Sequence, residues 1–472
     1  VHLTTTGLIL IFLLPVAAVR AQVQFSGNNQ LEYAHNASAD VKLQSSRRRD
    51  FFENWTEGNL RYRQFRLGMR LEMHNAPQIY APDQSIRRAD FAQRFLEYDS
   101  GTLRVRAGHN YMLLGRGLTL RFFENRQLRY DTRLDGLTLT YRHAHFDLTL
   151  LSGQPVNLEN ERQQIFHAGE WRVKPFKKFH AGATAVTTHP KGSARVSWGS
   201  LFTEINLKRG SLYLEYARED DPGETKAGEA LYLNANALLG AFSLTAEYKN
   251  YDRFEQFKGA YFNNPPLVAR EHLYTLLNRH QLVQNANDET GYALEAAYPV
   301  IQEGVLTAHY SLTKNHRGEK LYQEFYSQFD WHTPFNWELF GATGRQEDAS
   351  ARYLNFIGSA LIELSDSHAL KAIFEHQHTR RLLNDQQFYS QALSLGLSHA
   401  PNWTIALLSE RTTEQDLSQK LWAAVQLDLN FWENFDLTLV AGSRRKGKIC
   451  VGGVCVIKPE LKGVEATLIT RF

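Results

Sequence analysis

Val464, Glu465, Ala466, Thr467, Leu468, Ile469, Thr470, Arg471 and Phe472 form a run with Val464, Ala466, Leu468 and Phe472 on one side and Glu465, Thr467 and Arg471 on the other. Successive side chains of an extended chain point to opposite faces, so this run is an amphipathic strand that stops on an aromatic residue. The same period recurs upstream. Phe65, Leu67, Met69, Leu71 and Met73 alternate with Arg66, Arg70, Glu72 and His74; Leu103, Val105 and Ala107 alternate with Arg104, Arg106 and Gly108. Phe242, Leu244, Ala246 and Tyr248 alternate with Ser243, Thr245, Glu247 and Lys249. Such strands separate two different solvents.

Composition narrows the classes. A formal charge of +3 over 472 residues is too near neutral to imply a nucleic-acid partner. Charged residues make up 22% of the chain, and no run of about 18 apolar residues exists beyond the amino terminus, which excludes helical membrane spans. Barrel strands show lipid only every second residue, so a membrane barrel survives that exclusion. The 28 Phe, 21 Tyr and 8 Trp against 2 Cys and 3 Met fit it. The apolar run Gly7 to Val19 followed by Ala21 predicts a secretory signal over 1–21, cut after Ala21. It lacks the usual preceding Lys or Arg, and Val1 suggests a non-ATG start.

Tight connections near Ser100-Gly101, Arg209-Gly210, Leu239-Gly240, Pro401 and Trp432-Glu433 alternate with longer polar ones near 110–133, 154–162, 219–228, 253–288, 380–387, 413–419 and 444–460. The prediction is all-β: a transmembrane antiparallel up-and-down β-barrel of about 22–24 strands filling 22–472, in a bacterial outer membrane. Lipid cannot hydrogen-bond an open backbone edge, so the sheet must close. Strands begin almost at Gln22, leaving no room for a separate plug domain, and the inner faces are expected to meet water.

Three connections depart from ordinary loop composition. Gly108 to Gly136 carries Arg116, Arg121, Arg126, Arg129 and Arg133 against Glu124, Asp131 and Asp135, with Gly115 and Gly117 allowing a sharp fold. Tucked into the lumen, these charges would form a constriction that selects solutes; a self-neutralised surface loop is the plainer reading and is preferred. In Tyr251 to Glu289, Asn264-Pro265-Pro266 forces an extended entry, and Leu273, Leu276, Leu277 and His280 share one helical face. This predicts a short helix over 267–281 that caps or enters the pore and displays Arg270, Glu271, His272, Arg279 and His280. The spacing of Glu271, His272 and His280 matches no standard metal-ligand set, so packing is their assigned role. In Arg444 to Pro459, a turn at Gly452-Gly453 opposes Cys450 to Cys455, within reach of a disulfide in an oxidising envelope. The flanking Arg444, Arg445, Lys446, Lys448 and Lys458 form a basic tip, read either as a contact for lipopolysaccharide phosphates or anionic solutes or as a plain soluble loop.

A last strand ending in Phe472 resembles the signal that barrel-assembly machinery recognises in outer-membrane proteins. GRGLTLRFFENRQLRYDTRLDG (115–136), NNPPLVAREHLYTLLNRH (263–280) and CVGGVC (450–455) together resemble an uncharacterised family of Gram-negative outer-membrane β-barrels, a domain of unknown function found chiefly in Bacteroidetes-like lineages. The resemblance implies location and fold and brings no active-site residues. A porin-like channel for small solutes is therefore the leading expectation. A non-conducting scaffold or binding protein for secretion or surface assembly is second. An outer-membrane hydrolase, which would need a Ser–His–carboxylate or Asn set, is remote. No enzyme activity, cofactor or metal is expected.

Overall fold

The computed structural model describes residues 23–36, 50–77, 85–126, 130–156, 164–190, 194–254, 262–279, 287–451 and 454–472. The expected signal segment 1–21 lies outside them.

Each amphipathic run pairs antiparallel with the next, and the result is a closed sheet of 24 strands. The seam joins the first strand, Gln24–Asn36, to the last, Leu461–Arg471, in the register Asn28↔Arg471, Leu31↔Leu468 and Asn36↔Gly463. Phe472 continues the seam. Its N–H donates to the Gly27 carbonyl at 3.0 Å, the Gly27 N–H donates back at 2.7 Å, and its ring stacks on Phe25 at 5.6 Å. Closure leaves no edge to be stranded in hydrocarbon.

The alternation is inverted relative to a soluble sheet. In Gly210–Asp220, Leu212, Leu214 and Tyr216 are exposed on the outside, whereas Tyr213, Glu215, Ala217 and Glu219 are buried on the inside. Aromatic pairs gather at the short-turn rim: Phe65–Tyr98, Tyr141–Phe146, Phe242–Tyr298 and Phe431–Phe435. Such girdles mark the membrane interface of transmembrane barrels. Turns there reverse the chain within a few residues, through left-handed conformations at Arg63, Gly101, Gly240, Glu303 and Asn336.

The alternation predicts strands over 54–62 and 90–99, and the boundaries depart from that mainly at these two starts. The second strand begins at Asp50 and the fourth at Ser85, several residues before their apolar alternation sets in. Backbone pairing continues past the lipid boundary, where no solvent contrast forces alternation. The interior also differs. Its largest apolar cluster, which includes Leu118, Leu120, Phe122, Phe166, Trp198 and Phe262, lies within the lumen, so part of the inner wall is dry.

Candidate functional site

The three unusual connections, 111–133, 253–287 and 445–460, all leave the rim opposite the short turns, and their described parts fold inward. In the first, a small hairpin pairs Met112–Leu114 with Leu120–Phe122. Leu114, Leu118, Leu120 and Phe122 are 0–1% exposed against Phe166, Val186, Trp198 and Phe202 of the wall. Burying each apolar side chain contributes about 1.5–3 kcal/mol. Ordering each residue costs about 1–2 kcal/mol, so the loop also needs its buried backbone groups satisfied. The wall does this. Glu170 accepts the Gly115 N–H and Glu215 the Arg116 N–H, each at 2.8 Å, and Glu215 also takes Tyr213 Oη and Ser200 Oγ. Gly115 is left-handed, and a Cβ there would stand 2.4 Å from Glu215 Oε1, so any other residue would be strained and would displace that carboxylate. The preferred surface-loop reading is thus corrected: apolar residues hidden among the charges drive the segment into the lumen.

The second connection meets the first edge to edge. Arg121 N–H donates to the Phe262 carbonyl at 2.8 Å, Asn263 Nδ2 to the Leu118 carbonyl at 2.8 Å, and Asn264 N–H to the Gly117 carbonyl at 3.2 Å. Phe262 seats against Trp198 at 4.4 Å. From there the chain crosses to the opposite wall. Of the helix expected over 267–281, the described residues, through 279, show one 3₁₀ turn, Leu276–Asn278. Wall side chains take the hydrogen bonds a helix would have kept. Glu375 accepts the Leu276 and Thr275 N–H groups at 2.7 and 3.2 Å; Gln377 and Gln346 donate to the Leu276 and Leu277 carbonyls at 2.7 and 3.1 Å. Asn278 Nδ2 bonds the Tyr274 carbonyl at 3.0 Å.

The expected charges separate into different places. Glu124, Arg126, Asp131 and Arg133 meet around Arg70 of the wall, which is 1% exposed and reaches Glu72 at 2.6 Å, Glu124 at 2.7 Å, and Glu57 and Asp131 at 3.3 Å. Arg126 pairs with Glu57 and Arg133 with Asp131. Burial pushes the Glu124 carboxyl up despite Arg70, and pulls the Arg126 guanidinium down. Arg116 lies over the Tyr213 ring and Arg121 over Phe123, at 4.7 and 4.5 Å. Asp135 faces Arg94 and His109 at 3.8 and 3.9 Å. Arg129 and His280 lie outside the described residues. Arg70, Glu57 and Glu72 were not singled out as site residues; their signal was a charged inward face on the strands at 50–77.

In the second segment, Arg270 pairs with Glu295 at 2.6 Å, His272 Nε2 meets Glu324 at 2.6 Å, Arg279 pairs with Glu410, and Glu271 pairs with Lys448. In the third, Gly447–Val451 pairs with Val454–Lys458, and the backbone sets Cys450 opposite Cys455; their side chains lie outside the described part. The basic tip turns inward: Arg444 to Glu465, Arg445 to Glu410 and Glu414, Lys458 to Glu32 and Glu465. Lys446 stays exposed.

The inserted segments leave one side of the lumen open. A cavity of about 500 Å³ runs along the wall formed by strands from Ala351–Ser365 to Phe435–Arg444. Ala392, Ser394, Ser398, Thr404, Ala406 and Ala424 line it, with Lys371, Asp428 and Arg445 among its charges and Tyr274 at its inner edge. One hydroxyl–imidazole pair, Ser152–His167 at 3.0 Å, is exposed and has no carboxylate on the imidazole among the described residues.

The barrel is similar to that of an E. coli P pilus tip assembly intermediate, PapC-PapD-PapK-PapG, at a TM-score of 0.58 and 10% identity; the match covers 97% of this chain and 62% of that one. It is also similar to the P pilus usher (PapC) translocation pore, at a TM-score of 0.50 and 11% identity over 95% of this chain and 98% of the usher chain. At such identities the likeness is one of fold. No curated protein matches the sequence. A family described as a family of unknown function, DUF6029, matches over residues 3–318 and 319–472, and the chain belongs to it.

Proposed function

We propose that this chain is an outer-membrane channel for small polar solutes, with its lumen narrowed by its own loops to a path along one wall. The observation that carries the proposal is the cavity of about 500 Å³ beside the docked segment at Leu273, Tyr274 and Thr275. The strand Gln387–His399 turns Ala392, Ser394, Gly396 and Ser398 toward it, and these small side chains leave inner volume unfilled. Charges of both signs at its edge, Lys371, Glu375, Glu410 and Arg445, give it the features that select solutes by charge. The apolar outer face and the fold shared with the usher pore support an outer-membrane location. Within the same reading, Phe472 at the seam is the contact for barrel assembly, and Cys450 and Cys455 form a disulfide across their hairpin.

Planar-bilayer recording of the refolded chain tests the channel. Stable conductance steps are expected, and larger ones when 262–279 is replaced by a short Gly/Ser linker. A second reading, a non-conducting scaffold for surface assembly, draws on the dry cluster around Trp198 and Phe262. A folded, heat-modifiable protein that stays silent in bilayers would establish that reading and end the first.

A further inference from the structure

At the short-turn mouth, on the wall of strands Asp50–Tyr62, Phe65–Pro77, Ser85–Asp99 and Leu103–Asn110, arginines outnumber carboxylates. The register lays out one lateral row: Arg61 opposite Arg66, Arg66 opposite Glu97, Glu97 opposite Arg106. The neighbouring row sets Arg104 opposite Asp99. All point inward, because the alternating Leu67, Leu96 and Leu137 are exposed on the outside. Like charges directly opposed in a sheet are unfavourable, and Arg61 has no ion-pair partner among the described residues. Glu97, 5% exposed, serves three guanidinium groups: Arg104 at 2.6 Å, Arg66 at 3.3 Å and Arg106 at 3.5 Å.

The arginines are held rather than loose. Phe95, buried between Gly68 and Gly108, takes the Arg106 guanidinium over its ring at 3.6 Å and that of Arg66 at 4.9 Å. A Cβ at Gly68 would come within 2.2 Å of that ring, so the glycine makes room for the stacking platform. Stacking fixes the guanidinium planes and leaves N–H edges free to fork onto an oxyanion. Arg66 Nε is buried without a hydrogen-bond partner, although its Nη2 reaches Glu97. Beside these groups a cavity of about 460 Å³ opens, lined by Arg61, Arg66, Glu97, Asp99 and Arg104.

We propose that this cavity is a binding site for a small multiply charged oxyanion, a di- or tricarboxylate or a phosphate ester, entering from the short-turn side. The bound anion lies between Arg61 and Arg66, relieves their opposition, and takes the outer edges of Arg66 and Arg104. The site stands apart from the open path along the strands 351–444, so it holds whether or not the lumen conducts.

Isothermal titration of the full chain in detergent, with inorganic pyrophosphate and citrate run separately, tests it. Saturable binding of at least one probe, at one site per chain, is expected. Losing a charged hydrogen-bond partner typically weakens binding about tenfold, so Arg61→Gln and Arg66→Gln should each do so, while Arg209→Gln, at a different short turn, leaves it unchanged. Which probe binds separates the carboxylate source from the phosphate source. Arg61→Gln removes only an unpaired charge, so its barrel should fold, as heat-modifiable gel mobility will show, even if Arg66→Gln does not. Absence of binding by both probes, or equal weakening by Arg209→Gln, overturns the site.

Discussion

Two halves of one cylinder, built on the same alternation, have opposite interiors. In the strands from Leu134–Arg142 to Phe242–Asp252, inward positions carry Leu134, Leu151, Phe166, Trp198, Phe202, Tyr213, Tyr232 and Tyr251, and the inserted loops pack against them to exclude water. In Gln387–His399, alternate inward positions carry Ser390, Ala392, Ser394, Gly396 and Ser398, and the lumen beside them stays open. Outward faces of the two halves are alike: Leu137, Trp171 and Leu201 in one, Tyr389, Leu393 and Leu395 in the other. Lipid imposes the outer pattern everywhere. The inner pattern is free to vary, and its side-chain size decides where a loop docks and where a path remains.

Breaking the filled half should have the largest effect. Trp198→Ala removes the ring on which Phe262 rests and opens a cavity in a packed cluster, a loss of about 3–5 kcal/mol. A fall in the thermal unfolding midpoint, together with larger bilayer steps, is the expected outcome. Unchanged stability would show that the dry half does not hold the loops. Next comes Gly115→Ala, which places a methyl group against Glu215 at a left-handed position. The hairpin 112–122 should undock, with faster hydrogen exchange at Gly115 and Arg116 while the strands keep their protection.

Glu375→Ala acts on the other anchor. It removes the acceptor of the Thr275 and Leu276 N–H groups, and the buried Leu276 N–H costs about 1–3 kcal/mol when it loses that partner. Protease cleavage within 262–279 should rise without loss of the barrel. Filling the open side sharpens the comparison from the other direction: Ser394→Phe should lower conductance and change the unfolding free energy by no more than about 0.5 kcal/mol, because the added ring enters empty lumen. The smallest effect belongs to Cys450→Ser. Loss of the proposed bridge should change exchange rates only in 447–458, and mass spectrometry of the non-reduced wild-type chain should show a mass two hydrogens below that of the dithiol.

The strands were legible because solvent contrast writes itself into every second residue. Leu67, Met69 and Met73 against Arg66, Arg70 and Glu72 needed no neighbour to be read. The early starts at Asp50 and Ser85 escaped because pairing there runs outside lipid. The inward loops stood out by composition, but their charges drew attention from Leu118, Leu120 and Phe122, which carry the docking. The spacing of Leu273, Leu276 and Leu277 predicts a helix, but Leu273 is exposed and the described residues form one 3₁₀ turn at Leu276–Asn278. Its backbone partners, Glu375 and Gln377, sit about a hundred residues away.

Local chemistry by itself therefore determined the strand period, the antiparallel order and the closed sheet, since each depends on a residue and its immediate neighbours facing lipid. Tertiary structure alone decided that the lumen is filled along one wall and open along another. That outcome depends on shape and hydrogen-bond complementarity between a loop and a wall distant in the chain, such as Arg116 with Glu215 and Leu276 with Glu375. No local pattern encodes such a fit, because each partner has an ordinary reading until the other is beside it.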